Sequence, residues 1–172
     1  PEDLPPALVG YLMRFKRTTP VDFTATIMSL VRKGHIALEA REEEKGLVFK
    51  RTVPVIYFSR TGKDAGGLLP HEKVVYDFLF SSVTYEDILG IFPGKAADFV
   101  RRFIGGRSGA VPGLTGRGGD TVSSEDIKKS IQKHPREFQM IFALFVKQVK
   151  EEGDAKGYFD KKSEFWMGIF TA

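Results

Sequence analysis

Between Thr19 and Val53 the chain reads as one helix, a glycine stop and a two-stranded hairpin, and this order constrains the fold more than any other stretch. Pro20 suits a first helical turn, and Phe23, Ile27, Leu30 and Val31 follow at spacings of three and four. Asp22 complements the positive end of that helix; Arg32 and Lys33 complement the other. Gly34 stops it. Ile36, Leu38 and Ala40 then alternate with Ala37, Glu39 and Arg41, and a charged turn, Glu42 to Lys45 with Gly46, leads into a second strand through Leu47 and Phe49. Helix, glycine, strand, turn, strand is the outline of a winged helix. The expected class is therefore mainly α with small β-hairpins, an α+β fold built of tandem winged-helix-like units.

The flanking segments extend that outline. Leu4-Pro5-Pro6 introduces a helix from Ala7 to about Lys16, with Leu8, Leu12 and Phe15 on its inner face and Val9 and Met13 beside them. Pro54 interrupts the ladder, so Val55 to Phe58 is expected to continue the second strand along an edge. Thr61 to Gly67, with Gly62, Gly66 and Gly67, reads as a linker, which divides the chain into a winged-helix-like unit over 1–61, a linker over 62–67 and a second unit over 68–172. In the second unit Pro70 opens a helix to about Phe80 with Val74, Val75, Phe78 and Leu79 as its core face and Glu72 in its first turn. A helical turn over Tyr85–Leu89, an amphipathic helix over Gly94–Ile104 and a glycine-dominated loop over Gly105–Asp120 follow. Ser123 or Ser124 then caps a helix to Gln132. Pro135 starts the longest helix, to about Glu152, with Phe138, Ile141, Phe142, Phe145 and Val149 inward; Gly153 and Gly157 end it, and Tyr158-Phe159 returns as a short strand.

No residues gather in a pattern that carries chemistry. Without cysteine the chain has no disulfide, thiolate nucleophile or cysteine-bound zinc. His35, His71 and His134 stand far from one another, Glu42-Glu43-Glu44 lacks the alternating ligands of a calcium loop, and no serine lies in a G-x-S-x-G elbow. Gly116-Arg117-Gly118-Gly119 follows no strand and has no G-K-[ST] ending, as a phosphate cradle requires. No catalytic residue, metal ion or cofactor is expected. With 26 basic and 22 acidic residues mixed along the chain, the net charge of +4 permits nucleic acid without pointing to it. The central helix presents Asp22, Thr24, Ala25, Met28 and Ser29 outward, a poor surface for phosphates. Arg32, Lys33, Lys50 and Arg51 are the candidate nucleic-acid contacts. The segment from Phe92 to Ile104 is expected to close the second core; its alternative is a helix on an anionic membrane, with Phe92, Lys95, Phe99, Arg101, Arg102 and Phe103 as contacts.

The opening Pro1-Glu2-Asp3, without an initiator methionine, suggests a fragment cut from a longer chain, and the apolar end Phe165 to Ala172 is expected to dock on the domain surface, with the start of a membrane span as the alternative. The runs Leu4 to Leu12, Asp22 to Thr26 and Leu30 to Ile36, with Leu68 to Lys73 and Gly157 to Asp160, resemble the cytoplasmic region of the YciQ-like predicted bacterial membrane proteins. The resemblance covers most of the chain; relative to the family's usual spacing, residues from about 83 to 120 look like an insertion, of which it says nothing. It implies a signal peptide and an extracytoplasmic domain upstream, a span just before Pro1, this segment in the cytoplasm, and further spans beginning near Phe165. It implies no activity. The expected function is a non-enzymatic cytoplasmic interaction or structural module of an integral membrane protein. Its partners are other proteins or other parts of the same protein, with the membrane reached through flanking segments. The alternative is a membrane-tethered winged-helix regulator that binds DNA.

Overall fold

Asp22 shows how the first two helices are joined. In a computed structural model, which describes residues 4–46, 50–80 and 119–157, helix α1 (Pro6–Met13) is followed by α2 (Pro20–Arg32). The Thr19 backbone N–H donates to Asp22 Oδ2 at 2.7 Å and the Thr19 hydroxyl donates to the same oxygen at 3.1 Å, so a first-turn carboxylate satisfies the helix start. The Arg14 guanidinium, from the end of α1, pairs with the other oxygen. Asp22 is consequently buried, and so is Ser29; neither faces outward as the helical wheel suggested. The outer face of α2 is Val21, Thr24 and Met28.

Helix α1 is shorter than its sequence pattern. It stops at Met13 because Phe15 and Lys16 adopt left-handed backbone angles, φ 49° and 65°, and the Lys16 N–H returns to the Tyr11 carbonyl at 2.9 Å. Its inner face is Ala7, Leu8 and Tyr11, while Phe15, expected inside, is 65% exposed. The turn carries the Phe15 ring away from the core.

Strands β1 (Ile36–Lys45) and β2 (Arg51–Arg60) pair antiparallel from Ile36 opposite Arg60 to Lys45 opposite Arg51. Glu42 to Lys45, read as a turn, are thus the last residues of β1. Their side chains are solvated or ion-paired, which a two-stranded ribbon permits on both faces. Pro54 stays in the ladder opposite Glu42, as β2 has a partner on one side only at that level. Farther along, β3 (Thr121–Ser123) pairs with Tyr57 to Ser59 and turns this part of β2 into the central strand of a three-stranded antiparallel sheet, not an edge.

Helix α3 (Pro70–Phe80) has the expected inner face and also buries His71, Glu72, Tyr76 and Phe80. Ser123 caps α4 (Ser124–Lys133) by accepting from the Asp126 N–H at 3.0 Å. Helix α5 (Pro135–Ala155) runs through Gly153 without a break. The described residues thus form an α+β fold of five helices and one sheet. Phe23 of α2 stands among the rings of Phe78 from α3 and Phe145 from α5, so residues before and after 62–67 contribute to one hydrophobic cluster. Leu47 and Phe49, the insertion with its helical turn, amphipathic helix and glycine loop, the strand at Tyr158-Phe159 and the apolar end lie outside the described residues.

Candidate interaction surface

The β1–β2 hairpin has two unlike faces, and its register explains why. Cross-strand partners share a face, so Ile36, Leu38, Ala40 and Glu42 stand beside Arg60, Phe58, Ile56 and Pro54. At the base of this face Ile36 and Phe58 are buried in the core. One step outward the same apolar row emerges: Leu38 is 41% and Ile56 39% exposed, with Ala40 opposite Ile56 and Pro54 beyond it also exposed. Glu42 and Glu44 end the row.

The opposite face is polar and covered in part: Val55 is buried on it, while Glu39, Arg41 and Val53 are exposed. Arg41 lies 4.6 Å over the Tyr57 ring and donates to Glu39 at 2.7 Å, a bond that holds the Glu39 carboxyl below its ordinary range. The Tyr57 hydroxyl donates to Glu43, and this bond is the first reason that its phenol is shifted up. Helix α4 lies against the hairpin: the Ser124 hydroxyl accepts from the Ile56 N–H at 3.3 Å, and Glu125 pairs with Lys45. Val55, on this face, is buried. The hairpin is therefore held by α4 on one face and open on the other.

Its base is fixed by bonds that gather four elements. Gly34 has φ 76°, and the N–H groups of Gly34 and His35 return to the Val31 and Leu30 carbonyls at 2.9 and 3.0 Å, the double bond pattern that ends a helix on a left-handed residue. The Thr61 hydroxyl donates to the Gly34 carbonyl at 2.7 Å, and the Lys63 ammonium to the Lys33 carbonyl at 2.7 Å. Lys33 itself reaches the buried Glu72 at 2.6 Å, and Glu72 also accepts from the Leu69 N–H at 3.3 Å. Beside it, His71 Nδ1 lies 2.8 Å from both Glu152 carboxylate oxygens. These carboxylates join α2, α3 and α5.

His35 sits at this junction, 7% exposed. Burial is the first cause that lowers its pKa, followed by the charge of Lys63 and, more weakly, of Lys33; Glu72 and Asp64 act in the other direction. A histidine held neutral in the folded state is protonated first in the unfolded chain. Stability is therefore expected to fall as the pH drops below the ordinary histidine value of 6.5 toward the lowered folded value, and to gain nothing from this group above it. Urea midpoints measured across that window are expected to slope less steeply in His35→Asn than in the wild type. An equal slope would rule out His35 as the source.

Of the residues singled out for nucleic acid, Arg32 and Lys33 lie at the base of the hairpin and Lys50 and Arg51 at its tip. About 30 Å of strand separates the two pairs. Lys33 is engaged by Glu72, and Lys50 is paired with Glu44 at 2.8 Å. The structure does not bring the four together. The membrane candidates from Phe92 to Phe103 lie outside the described residues. An open cleft of about 610 Å³ lies between the 60–65 segment and α3, where Arg60 and Lys63 face Asp77 and Asp120. Charges of both signs line it, and Arg60 is already stacked 5.6 Å from the Tyr76 ring. Sequence reasoning missed the open apolar row and the pairs Lys33–Glu72 and His71–Glu152; of these only Glu72, three residues after the helix-capping position Leu69, carried a local signal.

The family model described as predicted membrane protein (DUF2207) C-terminal domain matches residues 1–172. The chain belongs to this family. No curated protein and no solved structure matches it. Among the described residues of this DUF2207 C-terminal domain, no helix is long and apolar enough to cross a membrane, and no three His, Cys, Asp or Glu side chains gather as metal ligands.

Proposed function

We propose that this domain is a non-enzymatic interaction module on the cytoplasmic face of the membrane, and that the open face of its hairpin is the docking surface. The observation that carries this reading is the apolar row that leaves the core at Ile36 and Phe58 and continues, uncovered, through Leu38, Ala40, Ile56 and Pro54. Covering Leu38 and Ile56 contributes roughly 1 kcal/mol each, enough to strengthen a contact made by a tethered neighbour. Glu42 and Glu44 at the end of the row favour a partner that presents a base beside its apolar side chains. That partner is another protein or another part of the same membrane protein. Family membership supports the membrane setting, and resemblance to the YciQ-like proteins supports the cytoplasmic side. The order α2, Gly34, hairpin supports a winged-helix-like first unit.

Duplex DNA is the competing occupant. Four glutamates on β1 and an α2 face of Val21, Thr24 and Met28 weigh against it, because phosphates need cations there. A photo-crosslinking residue at position 56 in the full-length protein, in its own membranes, is expected to give a discrete protein adduct that Leu38→Asp abolishes. Absence of an adduct at positions 38 and 56 would remove the docking reading. Retardation of duplex DNA at low salt, lost in Lys50→Ala with Arg51→Ala, would replace it with the DNA-binding regulator.

A further inference from the structure

A second surface, away from the hairpin, lies where α1 ends. The stretch Met13-Arg14-Phe15-Lys16-Arg17 alternates apolar and basic residues through a turn. Met13 is 75% and Phe15 65% exposed, and Val9, one helical turn before Met13, is 37% exposed. Turns of this kind favour glycine at the left-handed position, yet the position is held by Phe15 at φ 49°, followed by Lys16 at φ 65°. The fold needs the turn and has no use for the ring, which the turn aims into solvent. An unfavourable backbone angle that displays an aromatic side chain points to a function for that side chain.

The charges around it identify the occupant. Arg17 is exposed, and at the neighbouring end of α5 Asp154 meets Lys16 at 3.5 Å and the Tyr11 hydroxyl at 3.2 Å. Asp22 is buried beneath the turn and paired with Arg14. The turn thus carries three bases, Arg14, Lys16 and Arg17, around two projecting apolar side chains. A projecting apolar tip ringed by bases matches an anionic lipid surface, in which the tip enters the acyl boundary and the bases meet the headgroups. Membership of a predicted membrane protein family places such a surface within reach.

We infer that the turn after α1 docks the domain on an anionic membrane surface, with Phe15 and Met13 inserted and Arg17 at the headgroups. This contact is separate from the hairpin, so Leu38→Asp is expected to leave it intact. The 172-residue chain is expected to sediment with vesicles of phosphatidylcholine mixed with phosphatidylglycerol at low salt, to release them as salt rises, and to ignore phosphatidylcholine alone. Phe15→Gly is expected to weaken binding roughly tenfold, and Arg17→Glu several-fold. Glycine also relieves the backbone at that position, so the melting temperature of Phe15→Gly is expected to hold or rise, which separates lost binding from lost folding. Val21→Ser, at another exposed apolar site, is expected to bind as the wild type does. No binding to the mixed vesicles, equal binding to phosphatidylcholine alone, or undiminished binding by Phe15→Gly would overturn the inference.

Discussion

Gly153→Ala is expected to destabilise the domain by about 2 kcal/mol, although in an open helix the same exchange stabilises by about 1 kcal/mol. The reversal comes from Tyr11. A Cβ built on Gly153 would lie 2.6 and 2.8 Å from Tyr11 Cε1 and Cδ1, about 1 Å inside normal carbon contact. The ring has nowhere to retreat: it is 1% exposed, and its hydroxyl is bonded at 3.2 Å to Asp154, the next residue of the same helix. Overpacking therefore outweighs the gain in helix propensity. Urea unfolding of Gly153→Ala, alone and combined with Tyr11→Ala, tests the cause. With the ring removed, alanine at 153 is expected to become neutral or stabilising; a stabilising effect in the presence of Tyr11 would refute the packing argument.

That glycine also marks where the sequence stops being legible. Gly34, Gly153 and Gly157 all look like helix stops, because a glycine near the end of an apolar periodicity has that meaning locally. Gly34 and Gly157 do have positive φ, whereas Gly153 is helical and its role is set by Tyr11, which reaches across 143 residues to Asp154. Asp22 is a similar case. Its first-turn place suited the helix dipole, and that part of the reading holds; burial beneath Arg14 depends on how α1 crosses α2, which no spacing within α2 encodes. Local signals fixed what local physics decides: the starts at Pro20, Pro70 and Pro135, the Ser123 cap and the inner face of α3. Strand β3 escaped because three residues are too short for an alternation to register.

The candidate surface follows the same division. Alternation along β1 and β2 predicts a hairpin with two faces, and both the hairpin and its continuation past Pro54 are found. Alternation does not say which face is covered. Helix α4, some 70 residues later, packs beside Val55 and leaves Leu38 and Ile56 open, so that this apolar row is largely surface.

Phe23→Ala is expected to have the largest effect, a loss of about 4 kcal/mol, because truncating a buried phenylalanine removes both its transfer free energy and the contacts around the cavity. Phe23 is 5% exposed, and its ring centroid lies 5.4 Å from Phe78, 5.9 Å from Phe138, 6.4 Å from Phe142 and 5.1 Å from Phe145, three of these pairs edge-on or nearly so. One side chain from before 62–67 thus stands among four from after it. Unfolding is accordingly expected as a single transition in urea, with helix circular dichroism and tyrosine fluorescence falling together, and Phe23→Ala is expected to move that whole transition. Phe23→Leu, which keeps most of the volume, is expected to lose less than half as much. Two separated transitions, of which Phe23→Ala shifts only the first, would instead mean that the 1–61 segment folds on its own and that the rings of α3 and α5 do not depend on it.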